Sequence, residues 1–557
     1  MRFNDGLGKF EFLSFYFSII IWILRKGPGS MWRTAKIFLL LVAAAFITGL
    51  MPTIIDLFDT YVIYSVKEGF SLHPKLLSAI SAFTATVKSY TWHLSVIYAC
   101  IVGAIIFMES QNPDRTILWL VTLVLLPVFG VILYMIIGPD FKNFRKRKLF
   151  RPAKAVIDNT PFTGDKRLLI GKMLHSSGGA DLLTHNKVEI LIDGDAKFAS
   201  LKEELTKAQK YIHMQYFIIK DDNIGREIRD ILVDAAKRGV KVRVLYDAVG
   251  SWKLKINYFK ELLALGAECH AFMPVALPLF RRQMNFRNHR KIVVIDDRVA
   301  FTGGLNIGDE YLGRGELGHW RDTHVRLEGE AVAELHKIFL KDWCMRTGEN
   351  PSKICDDLSC HDCLSDEKQD FSSMPMLPMQ VAASGVDNVW HTISQGYYGM
   401  ISRAKERVWI TTPYLVPGAN IMNAMMTAAL SGVDIRLIMP SVKDHFLVFW
   451  GSRGNIEPLL RSGVRVFMYK NGFVHTKTVM ADDDICSVGT CNLDVRSLEI
   501  NFENQLFIYD KETTLQFAEQ FEKDTAESEE IILETWQNRP LYQKILESFG
   551  RLYSAQI

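Results

Sequence analysis

The sequence predicts an α/β protein in which one mixed-sheet unit is used twice, set behind a hydrophobic N-terminal region. Three observations predict it. A motif of five specified residues occurs twice in register, within 288–306 and 474–492. The strand and helix periodicities around the two copies run in the same order. Long apolar runs stop near residue 140, after which the composition becomes mixed and polar.

Taken in order, the apolar run 12–24 ends at Arg25-Lys26 and has no small-residue cleavage site. It is short for a span and reads as interfacial rather than as a removed signal peptide. Residues 37–55 are long enough to cross, although Gly49 and Pro52 weaken the end of the run. The runs 94–108 and 116–137, separated by the polar loop 109–115, read as a helical hairpin in the membrane. Lys142, Arg145-Lys146-Arg147-Lys148, Arg151 and Lys154 follow. Such a cluster beside a span favours the cytoplasmic side and anionic head groups, or simply flanks a stop-transfer segment. The expected location is a multi-pass place in the cell membrane with the soluble part on the cytoplasmic face. The same rule disfavours a crossing at 37–55, which would leave Arg25, Lys26, Arg33 and Lys36 outside, so the number of spans stays open.

The expected organisation is 1–93 as a hydrophobic region with one span, 94–140 as the hairpin, 155–349 as the first α/β half, 350–375 as a linker and 376–557 as the second half. In the first half, 187–192, 211–219 and 240–246 read as strands, and 224–237 as a helix closed by Arg238-Gly239. The order returns with a strand at 408–412, a helix to Leu430 closed by Ser431-Gly432, and a strand at 433–439. The run 235–243 (AAKRGVKVR) beside 428–436 (AALSGVDIR) is the clearest echo outside the motifs. The linker carries Cys355, Cys360, His361 and Cys363, with Cys344 upstream. That spacing is not a usual paired zinc-ligand set, so no metal is assigned and the thiols read as incidental. With 8 cysteines and no secretory signal, a disulfide framework is not expected either.

The repeated motif is His-x-Lys-x4-Asp-x6-Gly-x2-Asn. It is filled by His289, Lys291, Asp296, Gly303 and Asn306, and again by His475, Lys477, Asp482, Gly489 and Asn492. On a strand, residues two apart share a face, so each histidine projects with its lysine. The runs 292–295 and 478–481 then read as buried strands. Asp296-Asp297-Arg298 and Asp482-Asp483-Asp484 read as turns, and 299–302 and 485–488 as return strands. Within this catalytic motif set, Asp296 and Asp482 read as turn and strand-end residues rather than acid catalysts. Asn306 and Asn492 offer amide donors to a bound group.

One such set binds an oxyanion, and two facing sets can do chemistry on one. Lys291 and Lys477 supply positive charge to the non-bridging oxygens of a phosphodiester. Two imidazoles near their ordinary pKa divide the remaining work: one attacks phosphorus and the other protonates the leaving alkoxide. The second alcohol enters with the roles reversed.

The duplicated His-Lys-Asp pattern resembles the phospholipase D superfamily. The hydrophobic N-terminus together with Asn288-His289-Arg290-Lys291 resembles its bacterial cardiolipin synthase branch. Further stretches that carry the resemblance are 109–115 before an apolar run, Trp320-Arg321-Asp322-Thr323-His324, Thr412-Pro413-Tyr414 and Asn501-Phe502-Glu503, so that it covers roughly 94–557. It implies that the halves pack about a pseudo-twofold axis with both motifs at the interface, and that a lone half is inactive. It implies that Asp322 and Glu503 are carboxylates bonded to the histidine of the opposite half. It also implies a phosphatidyltransferase that joins two phosphatidylglycerol molecules into cardiolipin and glycerol, with His289 favoured as the nucleophile and His475 as the acid. Residue spacing does not decide between the histidines. His213, His270, His319 and His324 have no partner pattern and read as structural.

Phosphodiester exchange is close to balanced in energy, and no Gly-x4-Gly-Lys-Ser/Thr loop is present, so no cofactor is expected. A hydrolytic phospholipase D releasing phosphatidic acid is the alternative. A net charge of +3 on 557 residues gives no reason to expect a nucleic-acid partner. A membrane scaffold would have no use for two complete His-Lys pairs. The expected partners are phospholipid and membrane, and homo-oligomerisation is left open. Two apolar stretches stand before the motifs. The run 272–280, capped by Arg281-Arg282, reads equally as core or as a loop that admits lipid, and 446–450 reads rather as core.

Overall fold

The computed structural model describes residues 166–255, 257–274, 286–350, 371–386, 388 and 390–554, with six isolated residues between 78 and 122. The N-terminal runs, the basic cluster, most of the linker and the segment 275–285 lie outside these residues. Among the described residues no helix is long and apolar enough to cross a membrane. Residues 136–557, which hold both motifs, form one compact unit and 1–135 another.

In the first half of the 136–557 unit the strands are β1 (Leu183–Ile192), β2 (Tyr211–Tyr216), β3 (Lys241–Asp247), β4 (Glu268–Phe272), β5 (Ile292–Ile295), β6 (Val299–Gly303), β7 (Trp320–Arg321) and β8 (Thr323–Gly329). The second half has β9 (Met376–Ser384), β10 (Arg407–Thr411), β11 (Leu415–Val416), β12 (Asp434–Pro440), β13 (Arg465–Tyr469), β14 (Phe473–Val474), β15 (Thr478–Ala481), β16 (Ile485–Gly489), β17 (Leu493–Asp494), β18 (Glu503–Ile508) and β19 (Ser528–Glu530). Fifteen of the described strands make one mixed sheet in the order β19-β13-β12-β10-β15-β16-β18-β9-β1-β8-β6-β5-β2-β3-β4. Outward from the β1–β9 seam the two directions match strand for strand as far as β4 and β13, beyond which β19 adds an antiparallel edge to the second half alone. In each, the β2–β3–β4 or β10–β12–β13 edge is parallel and the inner strands are antiparallel.

The mixed-sheet halves are therefore not separate sheets placed face to face. The first strand of each copy is an edge with open N–H and C=O groups, and pairing the two edges satisfies both. The seam runs through Leu183↔Met379 and His185↔Met376, with an irregularity between them. One apolar layer spans it, drawing Phe339 and Trp343 from the first half and Leu506, Phe517 and Phe521 from the second. The opposite face carries a core for each half, built on helices Asn223–Lys237 and Ala419–Leu430.

The sequence echo at 235–243 and 428–436 has a local cause. Gly239 and Gly432 sit at φ +89° and +95°, where a side chain would be strained. Val240 N–H returns to Ala235 O and Val433 N–H to Ala428 O, each at 3.1 Å, so both helices end in the same glycine motif and release the same strand.

Candidate active site

Each motif is a hairpin whose open end carries the histidine and lysine. Strands β5 and β15 are buried throughout and pair with β6 and β16. Their turns place Asp296, Asp297 and Asp482 at φ 53–55°, a left-handed conformation that aspartate tolerates. The carboxylate of Asp296 accepts the N–H groups of Gln209, Lys210 and Tyr211 at 2.7–2.9 Å. That of Asp482 accepts those of Lys405, Glu406 and Arg407 at 2.8–3.1 Å and pairs with Lys166. Both are set seven residues, on the order of 20 Å, along the chain from their histidines. Neither aspartate joins the histidines; each ties its hairpin to the start of the neighbouring antiparallel strand, β2 or β10.

The histidines meet the other half at once. His289 N–H donates to Phe502 O at 2.9 Å, and His475 N–H to Arg321 O at 2.7 Å. Short parallel pairings flank these contacts, Phe473↔Trp320 and Val474↔Arg321 on one side and Asn288↔Phe502 on the other. Each side chain is then held by a carboxylate that the opposite half contributes. Glu503 lies 3.0 Å from His289 Nδ1, and Asp322 lies 2.7 Å from His475 Nδ1. An ionised carboxylate only accepts, so Nδ1 carries the proton and Nε2 keeps its lone pair. Phe217 stands edge-on to His289 at 4.9 Å, while Trp320 and Phe473 stack around His475 at 5.3 and 6.0 Å.

The two halves differ behind these pairs. Glu503 also accepts from Thr490 Oγ1 at 2.5 Å and from Asn501 Nδ2 at 3.3 Å. Burial acts to raise its pKa, yet His289, Lys291 and Thr490 hold it below the usual carboxylate range. The residue matching Thr490 in the first motif is Gly304, and a Cβ there would sit 2.0 Å from Asp322 Oδ1. Asp322 accepts from Thr323 N–H at 2.7 Å, and burial pushes it up to about 6 against the pull of Lys477. Burial likewise lowers both imidazoles, with Glu503 opposing the shift at His289 and the two lysines adding to it at His475.

Lys291 and Lys477 are wholly buried, and each ammonium donates to the carbonyl of its own histidine, at 2.8 Å for Lys291. An ammonium has three donors, so two directions remain for an anion. Burial lowers Lys291 to about 7, with Lys477 adding repulsion, and burial lowers Lys477 to about 8. The site gathers two buried lysines and two buried histidines in a largely dehydrated setting that a phosphodiester anion would complete.

The motif asparagines are used differently from the open amides expected of them. Asn306 donates to Tyr311 OH at 2.9 Å and accepts from Ile218 N–H at 3.2 Å, so both ends brace the loop. Asn492 donates to the Asp494 carboxylate, and its buried Oδ1 has no hydrogen bond. Two further residues at the site are given no role by the motif spacing. Arg290 makes bonds of 2.6 and 2.7 Å to Asp342 and reaches Glu503 O and Ser384 O across the seam. Asp247 collects the N–H groups of Val249, Gly250 and Asn288, which fixes the approach to the first motif. The departure of Thr490 from Gly304 is visible in the aligned repeats and is the available clue to an asymmetric pair.

Of the remaining histidines, His213 bonds His336 at 2.8 Å, His319 bonds Asp193 at 2.8 Å, His270 stands edge-on to Trp343, and His324 is buried. Cys344 is half-buried on helix Glu330–Thr347, while Cys355, Cys360 and Cys363 lie outside the described residues. Among the described residues no group of His, Cys, Asp or Glu is placed to hold a metal. Phe272 is core, packed edge-on to Phe502 at 5.3 Å. The stretch 446–450 is not fully core: it opens helix Phe446–Gly454, whose buried residues are Gly451 and Ser452, with Phe446 exposed and Leu447, Val448, Phe449 and Trp450 half-buried.

A family model described as "Cardiolipin synthase, PLD-like domain" matches residues 201–343 and 397–525, and one described as "Phospholipase D-nuclease N-terminal" matches 96–139. Cardiolipin synthase 2 of Bacillus anthracis is 39% identical over 82% of this chain and 89% of its own length. The major cardiolipin synthase ClsA of Bacillus subtilis is 38% identical over 85% of this chain and 99% of its own. The crystal structure of phosphatidylserine synthase from Haemophilus influenzae Rd KW20 superposes with a TM-score of 0.54 at 17% identity, covering 71% of this chain and 100% of that one, a likeness of fold. Identity held over so much of both chains reflects common descent: the chain belongs to the cardiolipin synthase family of phospholipase D-like proteins.

Proposed function

We propose that the protein is a membrane phosphatidyltransferase that condenses two phosphatidylglycerol molecules into cardiolipin and glycerol through a phosphatidyl-histidine. The observation that carries this reading is the reciprocal bracing of His289 by Glu503 and His475 by Asp322, beside two buried lysines. The phosphodiester anion enters between Lys291 and Lys477, and its charge raises the ammonium and imidazole pKa values that burial had lowered. His289, neutral with its Nε2 lone pair free, attacks phosphorus, the bond from phosphorus to the glycerol head group breaks, and His475, which takes up a second proton on Nε2 when the anion binds, delivers that proton to the departing oxygen. Glu503, held ionised by Thr490 and Asn501, stabilises the positive ring of the phosphohistidine; this favours His289 as the nucleophile. The glycerol hydroxyl of a second phosphatidylglycerol then loses its proton to His475 and attacks phosphorus, and the P–N bond breaks. Asp296 and Asp482 take no part beyond shaping the hairpins.

Transfer rather than hydrolysis requires water to be kept from the phosphoenzyme, and the buried histidines and the aromatic walls of Phe217, Trp320 and Phe473 support this. The relatives named cardiolipin synthase support phosphatidylglycerol as donor and a place at the membrane. The multi-pass arrangement with a cytoplasmic catalytic part rests on the N-terminal sequence pattern. The test is mass spectrometry of products from labelled phosphatidylglycerol in mixed micelles, with wild type beside His289→Ala and His475→Ala. Cardiolipin and glycerol from wild type alone are expected. Phosphatidic acid alone would replace the transferase by the hydrolase, and no turnover would overturn the donor.

A further inference from the structure

The last helix of the chain faces the wrong way for a helix of a water-soluble surface. On Leu541–Ser554, Glu547 and Gly550 point inward. Gly550 and Gly451 bring two backbones together, so that a Cβ at Gly550 would lie 2.5 Å from Gly451 N. Glu547, 2% exposed, pairs with Arg453 and Arg539 at 3.2 and 2.7 Å. The apolar residues point outward: Leu541, Tyr542, Ile545, Phe549 and Leu552 are 48–71% exposed. Their spacing keeps them on one stripe of the helix. Lys544 and Arg551 are exposed beside this stripe, and the helix carries no acid other than the inward Glu547. An apolar stripe with flanking cations and no exposed acid fits the boundary between acyl chains and anionic head groups.

This surface continues to the catalytic rim. The helix packs on Phe446–Gly454, which follows directly on the loop 441–445. Asp444 and His445 of that loop lie near enough to act electrostatically on Lys477 and His475. The loop exposes Val442, Lys443 and, at its end, Phe446. The first half repeats the arrangement after β3, the counterpart of β12. Trp252 is 73% exposed with Lys253 over its ring, and its neighbour Ser251 bonds the carbonyl of Phe217, which stands on His289. Both histidines thus have an exposed aromatic and a lysine at their rim.

We propose that Leu541–Ser554, with the rim residues Phe446 and Trp252, is a docking surface for a bilayer rich in anionic phospholipid, and that it lays the site on the lipid surface independently of the N-terminal region. The inference rests on the lipid-substrate reading above. The test uses full-length protein in phosphatidylglycerol vesicles containing a phosphatidylglycerol whose acyl chain bears a photoreactive diazirine, with labelled peptides mapped by mass spectrometry. Label is expected in 541–554 and absent from helix Asn223–Lys237. Ile545→Glu/Leu552→Glu should lose that label and raise the apparent KM for vesicles about tenfold, while turnover of a monomeric short-chain phosphatidylglycerol is unchanged. Label confined to the N-terminal region overturns the proposal, as does loss on both substrates. A cross-link between two copies through Ile545→Cys would assign the stripe to a dimer and overturn it too. If the label appears but the product is phosphatidic acid, the docking surface stands and the transferase reading fails.

Discussion

Replacing Glu503 by glutamine isolates the charge behind His289. Glu503 is fully buried, its oxygens are occupied by His289, Thr490 and Asn501, and glutamine keeps its shape. A hydrogen bond to a charged group contributes about 1.5–3 kcal/mol and one between neutral groups about 0.5–1.5, so the bond to Nδ1 weakens by about 1–2 kcal/mol. The positive ring of the phosphohistidine also loses its counter-charge, worth about 4 kcal/mol at about 4 Å for an effective dielectric near 20. At about 1.4 kcal/mol per tenfold, kcat should fall between about 10-fold and 10⁴-fold. Because Glu503 lies behind the imidazole, KM should move little. Rapid quench with labelled phosphatidylglycerol reads this directly, since the trapped phosphohistidine should form slowly in Glu503→Gln. Loss of less than threefold, or a loss carried by KM, would refute the role assigned to the carboxylate. Phosphohistidine formation untouched in Glu503→Gln but abolished in Asp322→Asn would move the nucleophile to His475.

The pH profile of kcat/KM should be bell-shaped, since Asp322, pushed up to about 6, loses its charge below that value, while Lys291 and Lys477, lowered to about 7 and about 8, lose theirs above. A flat profile between pH 6 and 9 would refute this. Gly304→Ala places a Cβ 2.0 Å from Asp322 Oδ1 and should reduce kcat at least about tenfold, by pushing the carboxylate from His475, with the thermal midpoint nearly retained. Asp482→Asn should destabilise by about 1–3 kcal/mol and spare kcat of the folded enzyme. Burial raises the Asp482 pKa, but Lys166 and three backbone N–H groups hold it below the ordinary value. Its stabilisation is therefore present above about pH 4 and lost as pH falls through the lower folded value, so wild type should lose more stability on acidification than Asp482→Asn, measured by thermal unfolding.

The elements that the sequence places well are those with local causes. The strands at 292–295 and 478–481 carry the expected bounds, because a short, largely apolar run between a lysine and an aspartate turn has its hairpin register set by that turn. The helix read at 224–237 begins at Asn223, where Asp222 accepts Gly225 N–H at 3.0 Å. The stretch 446–450 reaches only half-burial, with Phe446 exposed, because an apolar pentapeptide looks like core until Gly451, Ser452 and Gly550 show which side is packed most closely. The asparagines depart from expectation for a related reason: spacing shows that an amide is available, and Tyr311 and Asp494 show where it is spent.

By itself the sequence determined that two hairpins each present a histidine and a lysine, since period-two alternation and turn chemistry act within a few residues. It also carried the family through the duplicated motif. The resemblance implied the pairing of Glu503 and Asp322 with the opposite histidines, but only the tertiary structure decided that the two copies share one sheet, how closely each carboxylate holds its histidine, and that Thr490 bonds Glu503 while Gly304 leaves no room for a side chain beside Asp322. The shared sheet and the carboxylate–histidine distances depend on contacts between residues more than 150 positions apart, set by edge pairing and by where buried charge finds a partner, and no local pattern encodes them.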